Sequence, residues 1–156
     1  MREIKFRAWD VKNKKMIYHF LLTSKGEFVA LRDPMTPDGD DYGTMDFELP
    51  SSDGIVLMQF TGLYDRMGKE IYEGDVVNMK VLIVDYNENT EIDRTYTGVV
   101  AVIPSKGACM KRPKFIDRCE DDRTVWCDYN KPIAAYRSEV IGNIYEHGEL
   151  LNADNV

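Results

Sequence analysis

Residues 59–77 read QFTGLYDRMGKEIYEGDVV, and no other run of the chain combines turn chemistry, charge and hydrophobic spacing over such a length. Phe60, Leu63, Ile71 and Val77 are apolar positions separated by turn residues, not by helical spacing. Gly62, Gly68 and Gly74 recur every six residues at points where a tight turn needs positive φ without a Cβ clash. Asp65-Arg66-Met67-Gly68 has the composition of a hairpin connection with Gly68 at the left-handed position. Glu73-Gly74-Asp75 predicts a second tight turn, which feeds the β-branched run VVNMKVLIV at 76–84, a strand buried on at least one face. The glycines are explained by backbone geometry, so the stretch is a β-meander before it is a site.

Outward from this centre, both flanks continue in β-like patterns. Toward the N-terminus, residues 3–9 alternate Ile4, Phe6 and Ala8 against Lys5 and Arg7, which predicts a half-buried strand with Trp9 as a core anchor. A turn at Asp10–Lys14, a returning strand over 15–22 and a short strand over 27–31 follow. Ile55–Phe60 is a short apolar run for which periodicity leaves strand and a turn of helix both open. Toward the C-terminus, TYTGVVAVI at 95–103 is a strand, with Gly98 suggesting a bulge or a barrel corner, and 104–107 breaks it. Thr124–Cys127 is a strand candidate containing Trp126. One or two strands meeting at Gly142-Asn143 lie in 134–146, then a short terminal turn at 149–151 and a frayed tail over 152–156.

Three blocks carry a family resemblance: REIKFRAWDVKNKKMIY at the start, the central stretch, and EVIGNIYEHGELL at 139–151. Together they resemble the YopX family of phage and prophage proteins. The segments 33–54 and 104–135 contribute little to that likeness. The resemblance implies a small β-rich phage protein with a small barrel of the Src-homology type begun by the EGDVV turn. It supplies no catalytic residues. The fold expected is mainly β, or a β-dominated α+β fold. An antiparallel N-terminal portion over 1–60 would lead into a barrel-like portion over 61–151, the two sharing strands if they form one composite domain.

Composition bounds the function classes. A chain of 156 residues, 44% hydrophobic and 30% charged, can bury a core of its own. No signal-peptide-like run opens it and nothing approaches a membrane span, so the expected location is the bacterial cytoplasm. Cys109, Cys119 and Cys127 have neither CxxC spacing nor a nearby histidine, which predicts reduced thiols and no metal site. The net charge is −7, and the acids cluster. Segment 33–54 holds Asp33, Asp38, Asp40, Asp41, Asp46, Glu48 and Asp53 without a lysine or arginine, which leaves the rest of the chain neutral. A calcium loop started at Asp38 fails, because Leu49 falls where a bidentate Glu is needed. No cofactor is expected.

No Walker A loop, GxGxxG or GxSxG is present, and neither His19 nor His147 has a sequence neighbour that makes a triad or a zinc motif. The leading expectation is therefore a non-catalytic accessory protein that binds another protein or itself as a homo-oligomer. Met35, Tyr42, Met45 and Phe47 on the acidic segment would supply its partner surface. The alternative is a nucleic-acid-binding barrel. Lys111, Arg112, Lys114 and Arg118 with Phe115 form the chain's basic-aromatic cluster, the combination a nucleic-acid footprint needs. A charged surface loop with one buried Phe accounts for the same residues, since Glu120, Asp121 and Asp122 follow at once. An enzyme whose site assembles only in space would leave no motif.

Overall fold

A computed structural model describes residues 3–18, 20–22, 28–30, 54–85, 90–117 and 122–151. Its elements are strands β1 (Phe6–Asp10), β2 (Lys15–Ile17), β3 (Phe20–Leu22), β4 (Phe28–Ala30), β5 (Ile55–Tyr64), β6 (Glu70–Tyr72), β7 (Asp75–Asp85), β8 (Thr90–Ile103), β9 (Gly107–Asp117), β10 (Arg123–Trp126), β11 (Lys131–Pro132) and β12 (Ser138–Asn143). Among the described residues the helical pieces are two 3-10 turns, Ala135–Arg137 and Gly148–Leu151. The protein is mainly β, as the alternating patterns require.

The chain divides into two compact units, one of residues 6–58 and one of 1–5 with 59–156. In the first, β1 and β2 form a hairpin with Ala8 opposite Ile17 and Asp10 opposite Lys15. The Asp10 carboxylate closes it by accepting from the Lys12 and Asn13 backbone N–H groups at 2.9 and 3.0 Å. Strands β3 and β4 pair antiparallel as a separate two-stranded sheet. The returning strand expected over 15–22 is thus two short strands, β2 and β3. The alternation expected of residues 3–9 also gives way. Ile4 is exposed, while Arg7 is buried and donates from Nη2 to the Met58 sulfur at 3.6 Å. Trp9 is buried, as a core anchor should be.

The larger unit is built on a curled half-barrel, a sheet in the order β10-β9-β8-β7-β12 with β11 added beside β9. Its core gathers Ile71, Val77, Met79, Tyr96, Val100, Met110, Cys127 and Val140 from five strands and one connection. Val77 and Met79 project to the same side of β7 because successive strand residues alternate faces. The ambiguous run at 55–60 is strand β5. It continues to Tyr64, where β6 pairs with it through Phe60 opposite Tyr72 and Tyr64 opposite Glu70. The Phe60 ring lies 5.4 Å from both Tyr64 and Tyr72, an aromatic cluster made by a register irregularity between the two pairs.

The segment 109–123, open in sequence between a charged loop and a binding cluster, is largely strand β9. It pairs along its length with β8, from Ile103 opposite Gly107 to Tyr96 opposite Phe115. One irregularity interrupts that ladder, and it lies at Gly98. Thr97 faces Lys114 and Val99 faces Lys111, so the single residue Gly98 opposes both Arg112 and Pro113. This is a β-bulge, with Arg112 at φ 38 as the residue that makes the kink. Glycine is required by close approach. A Cβ at 98 would stand 3.0 Å from the Cβ atoms of Met110 and Pro113 and 3.2 Å from the Pro113 backbone.

Candidate functional site: the outer sheet face

The central stretch is where most of the local chemistry is concentrated, and its ionisable groups hold the backbone together. Asp65 is buried. Its Oδ1 accepts from the backbone N–H groups of Met67 and Lys69 at 2.8 and 2.9 Å, and its Oδ2 from that of Val140 at 3.0 Å. Burial pushes the carboxyl up, but the three backbone donors outweigh it and hold Asp65 below its ordinary value of 3.8. The expected hairpin is there, closed by the Asp65 N–H donating to the Lys69 carbonyl, with Gly68 at φ 81. Gly62 and Gly74 take positive φ as well.

The second turn is used in the same way. Asp75 accepts from the Tyr72 N–H at 2.8 Å, and Glu73 accepts from the Val102 N–H at 2.9 Å. Gly74 donates to the Val100 carbonyl and accepts from the Ile144 N–H. One short turn thereby ties β8 and the segment after β12 to β7. At the surface, Arg66 pairs with Glu139 through Nε and Nη2. The Glu70 carboxylate accepts from Lys5 at 2.5 Å and holds its ammonium above its usual range.

The basic-aromatic cluster is treated differently by the fold. Phe115 faces the core side of the half-barrel, where its ring packs 5.3 Å from Tyr96. Both rings are already covered by cations. Arg94 lies 4.1 Å over the Phe115 centroid and Lys131 lies 4.4 Å over that of Tyr96. On the same side, Tyr129 is pushed up to about 12, first by its hydrogen bond with Cys127 and then by burial. It therefore stays a protonated phenol.

Lys114 faces away from the core. Residues directly opposite in an antiparallel ladder share a face. One outward row therefore runs Trp126, Lys114, Thr97, Asn78 and Glu139 across five strands. Thr97 Oγ1 donates to Asn78 Oδ1 at 2.7 Å within it. The bulge adds Lys111 to this face. Three residues separate Lys111 from Lys114, and strict alternation would put them on opposite sides. The extra residue at Arg112-Pro113 restores the phase, so that Lys111 opposite Val99 and Lys114 opposite Thr97 point the same way.

Trp126 is 50% exposed, and the Lys114 ammonium lies 5.6 Å from its ring centroid. Ile116, Leu82 and Val84 are the other large apolar groups exposed on this face. Glu91 and Asp93, opposite Val84 and Leu82, make its far end acidic. Lys111 and Arg112 are exposed and form no ion pair with any described residue.

Met35, Tyr42, Met45, Phe47 and Arg118 lie outside the described residues. Cys109 and Cys127 are buried free thiols, and Cys119 is again outside. Among the described residues no group of three His, Cys, Asp or Glu side chains could hold a metal ion, and no helix is long and apolar enough to cross a membrane. Trp126 was the residue that sequence reasoning placed only in a strand. An exposed tryptophan one strand away from the lysines becomes recognisable when β9 and β10 are aligned.

The fold and this face define a class, a mainly β protein built on a curled half-barrel with an open outer surface. Within that class the chain belongs to the YopX family, whose model, described as YopX protein, matches residues 5–152. The fold is similar to that in the crystal structure of protein EF1440 from Enterococcus faecalis. The TM-score is 0.51 at 23% identity, covering 97% of this chain and 100% of that one. At this identity the likeness speaks for the fold. No curated protein matches the chain.

Proposed function

We propose that the protein is a non-catalytic nucleic-acid-binding module of phage or prophage origin, working through the outer face of β8, β9 and β10. The observation that carries this reading is the bulge at Gly98, which brings Lys111 and Lys114 onto one face beside the exposed ring of Trp126. Cations that track phosphates and a ring that can take a base are the two components of such a surface. The carboxylates that would otherwise suggest acid–base chemistry, Asp65, Glu73 and Asp75, each accept from backbone N–H groups within the fold.

The net charge of −7 limits such a footprint to a small one. Two phosphate contacts predict that log affinity falls against log salt with a slope of about −1.5. Fluorescence anisotropy of labelled oligonucleotides across a salt series checks this. Charge reversal of both lysines, K111E with K114E, is expected to abolish the salt-sensitive binding. A protein partner, docking on segment 33–54 or as a second copy, is the competing outcome. Nuclease-resistant capture of a partner by the double variant, or a solution mass above that of one chain, would direct attention there instead.

A further inference from the structure

We propose that the outer face takes single-stranded nucleic acid, with Trp126 as the ring on which one base stacks and Lys111 and Lys114 as its phosphate contacts. This rests on the nucleic-acid reading above and names the ligand within it.

Three observations select the single strand. The first is the ring itself. Trp126 lies at the edge of the sheet, 50% exposed, and its π-face can be used only by a base free of its own stack. Among the described rings on the core side, Tyr129 is also exposed, but its hydroxyl is tied to Cys127 and Tyr96. The Phe115 and Tyr96 rings there are half-buried and buried, and cations already cover them at 4.1 and 4.4 Å.

The second observation is the shape of the basic area. The cations beside Trp126 are Lys111 and Lys114 of β9, with Trp126 one strand away, about 5 Å across the ladder, and Lys80 of β7 stands further along the same face. Beyond Thr97 and Asn78 the outward row ends on Glu139, whose charge Arg66 meets, and past Lys80 and Thr95 the face ends on Glu91 and Asp93 of β8. A duplex, with two phosphate chains, would set one of them against these carboxylates. A strand a few nucleotides long fits beside the lysines without reaching them, at the low end of the range of about 4 to 16 nucleotides per small barrel.

The third is the polar lining between the cations and the acids. Thr97 and Asn78 are tied to each other at 2.7 Å, and Thr95 and Lys80 stand opposite one another in the next outward row. Hydroxyl and amide groups at this place can reach the Watson–Crick edges that a splayed base presents and a duplex hides.

Intrinsic tryptophan fluorescence tests the inference directly. The chain has two tryptophans, and Trp9 is only 6% exposed, so quenching by an added strand reports on Trp126. The full chain is titrated with a short deoxythymidine oligonucleotide and with a duplex of the same length. The expected result is saturable quenching by the single strand and much weaker binding of the duplex. By anisotropy, Trp126→Ala should weaken single-strand binding about tenfold to a hundredfold, and Trp126→Phe should retain most of it. Far-UV circular dichroism of both variants controls for folding.

Equal affinity for the duplex, or an unchanged affinity in Trp126→Ala, overturns the inference while leaving the nucleic-acid reading in place. Loss of all binding in the lysine double variant together with unquenched Trp126 in the wild type does the same. Absence of binding to either probe by the wild type removes both.

Discussion

The turn region around Asp65 and the outer face around Lys114 both carry charged side chains of the larger unit, and the fold uses them in opposite ways. At Asp65 a buried carboxylate is surrounded by three backbone donors, one of them from a strand 75 residues away in sequence. Nothing of it is left for a ligand. At the outer face, Lys111 and Arg112 are exposed and pair with no described acid. A charged group whose hydrogen bonds are made inside the protein contributes to stability, and one exposed on a strand face is reachable from solvent. The difference lies in what the neighbourhood offers: a carboxylate accepts from the N–H groups turned toward it, whereas a lysine or arginine only donates, and no described acid lies within ion-pair distance of Lys111 or Arg112.

Breaking the turn should have the largest effect. Asp65→Ala leaves three donors without their acceptor, at least one of them buried, and is expected to cost about 3–5 kcal/mol, read as a fall in the urea midpoint. Oligonucleotide binding by the folded fraction should be unchanged. The same carboxylate sets an acid limit. Its folded-state value lies below its ordinary value of 3.8, so its contribution is complete above that pH and is lost as pH falls through the lower folded value. Wild-type stability should therefore drop below about pH 4 more steeply than that of Asp65→Ala. Parallel acid titrations by circular dichroism compare the two.

An intermediate effect is expected at the bulge, where the comparison can be sharpened. Gly98→Ala forces a methyl group to within 3.0 Å of Met110 and Pro113, and should cost about 1–3 kcal/mol in thermal or urea unfolding. It should also weaken oligonucleotide binding, because the methyl displaces the residues that keep Lys111 and Lys114 in phase. Stability and binding thus move together at Gly98 and separately at Asp65. The smallest effect belongs to Arg66→Ala. Its pair with Glu139 is close to half exposed on both sides, and removing it should change stability by less than about 1 kcal/mol.

Much of the strand layout was legible in the sequence. β7, the 95–103 part of β8 and β10 follow from β-branched runs, and the turn at Gly68 from its left-handed requirement, whereas residues 90–94, a polar loop by composition, are strand as well. These signals are local: period-two alternation and turn chemistry act over a few residues. The bulge at Gly98 was visible as well, as an isolated glycine inside a strand pattern. Its consequence was not. Residues 111, 112, 114 and 115 formed one cluster in sequence, and the fold divides them, with Phe115 turned to the core and Lys111 and Lys114 turned outward.

The sequence alone determined the class of fold, the turns, and the placing of Trp9 in a core, because each depends on interactions within a few residues or on simple burial. The tertiary structure alone decided three other things. It chose which side of the sheet each charge occupies, since one inserted residue in a ladder reverses the phase of everything after it. It brought Trp126 beside Lys114, since β10 reaches that position through a connection whose length does not specify register. It also made Asp65 structural, because its third donor comes from β12, and no local pattern announces a partner 75 residues away.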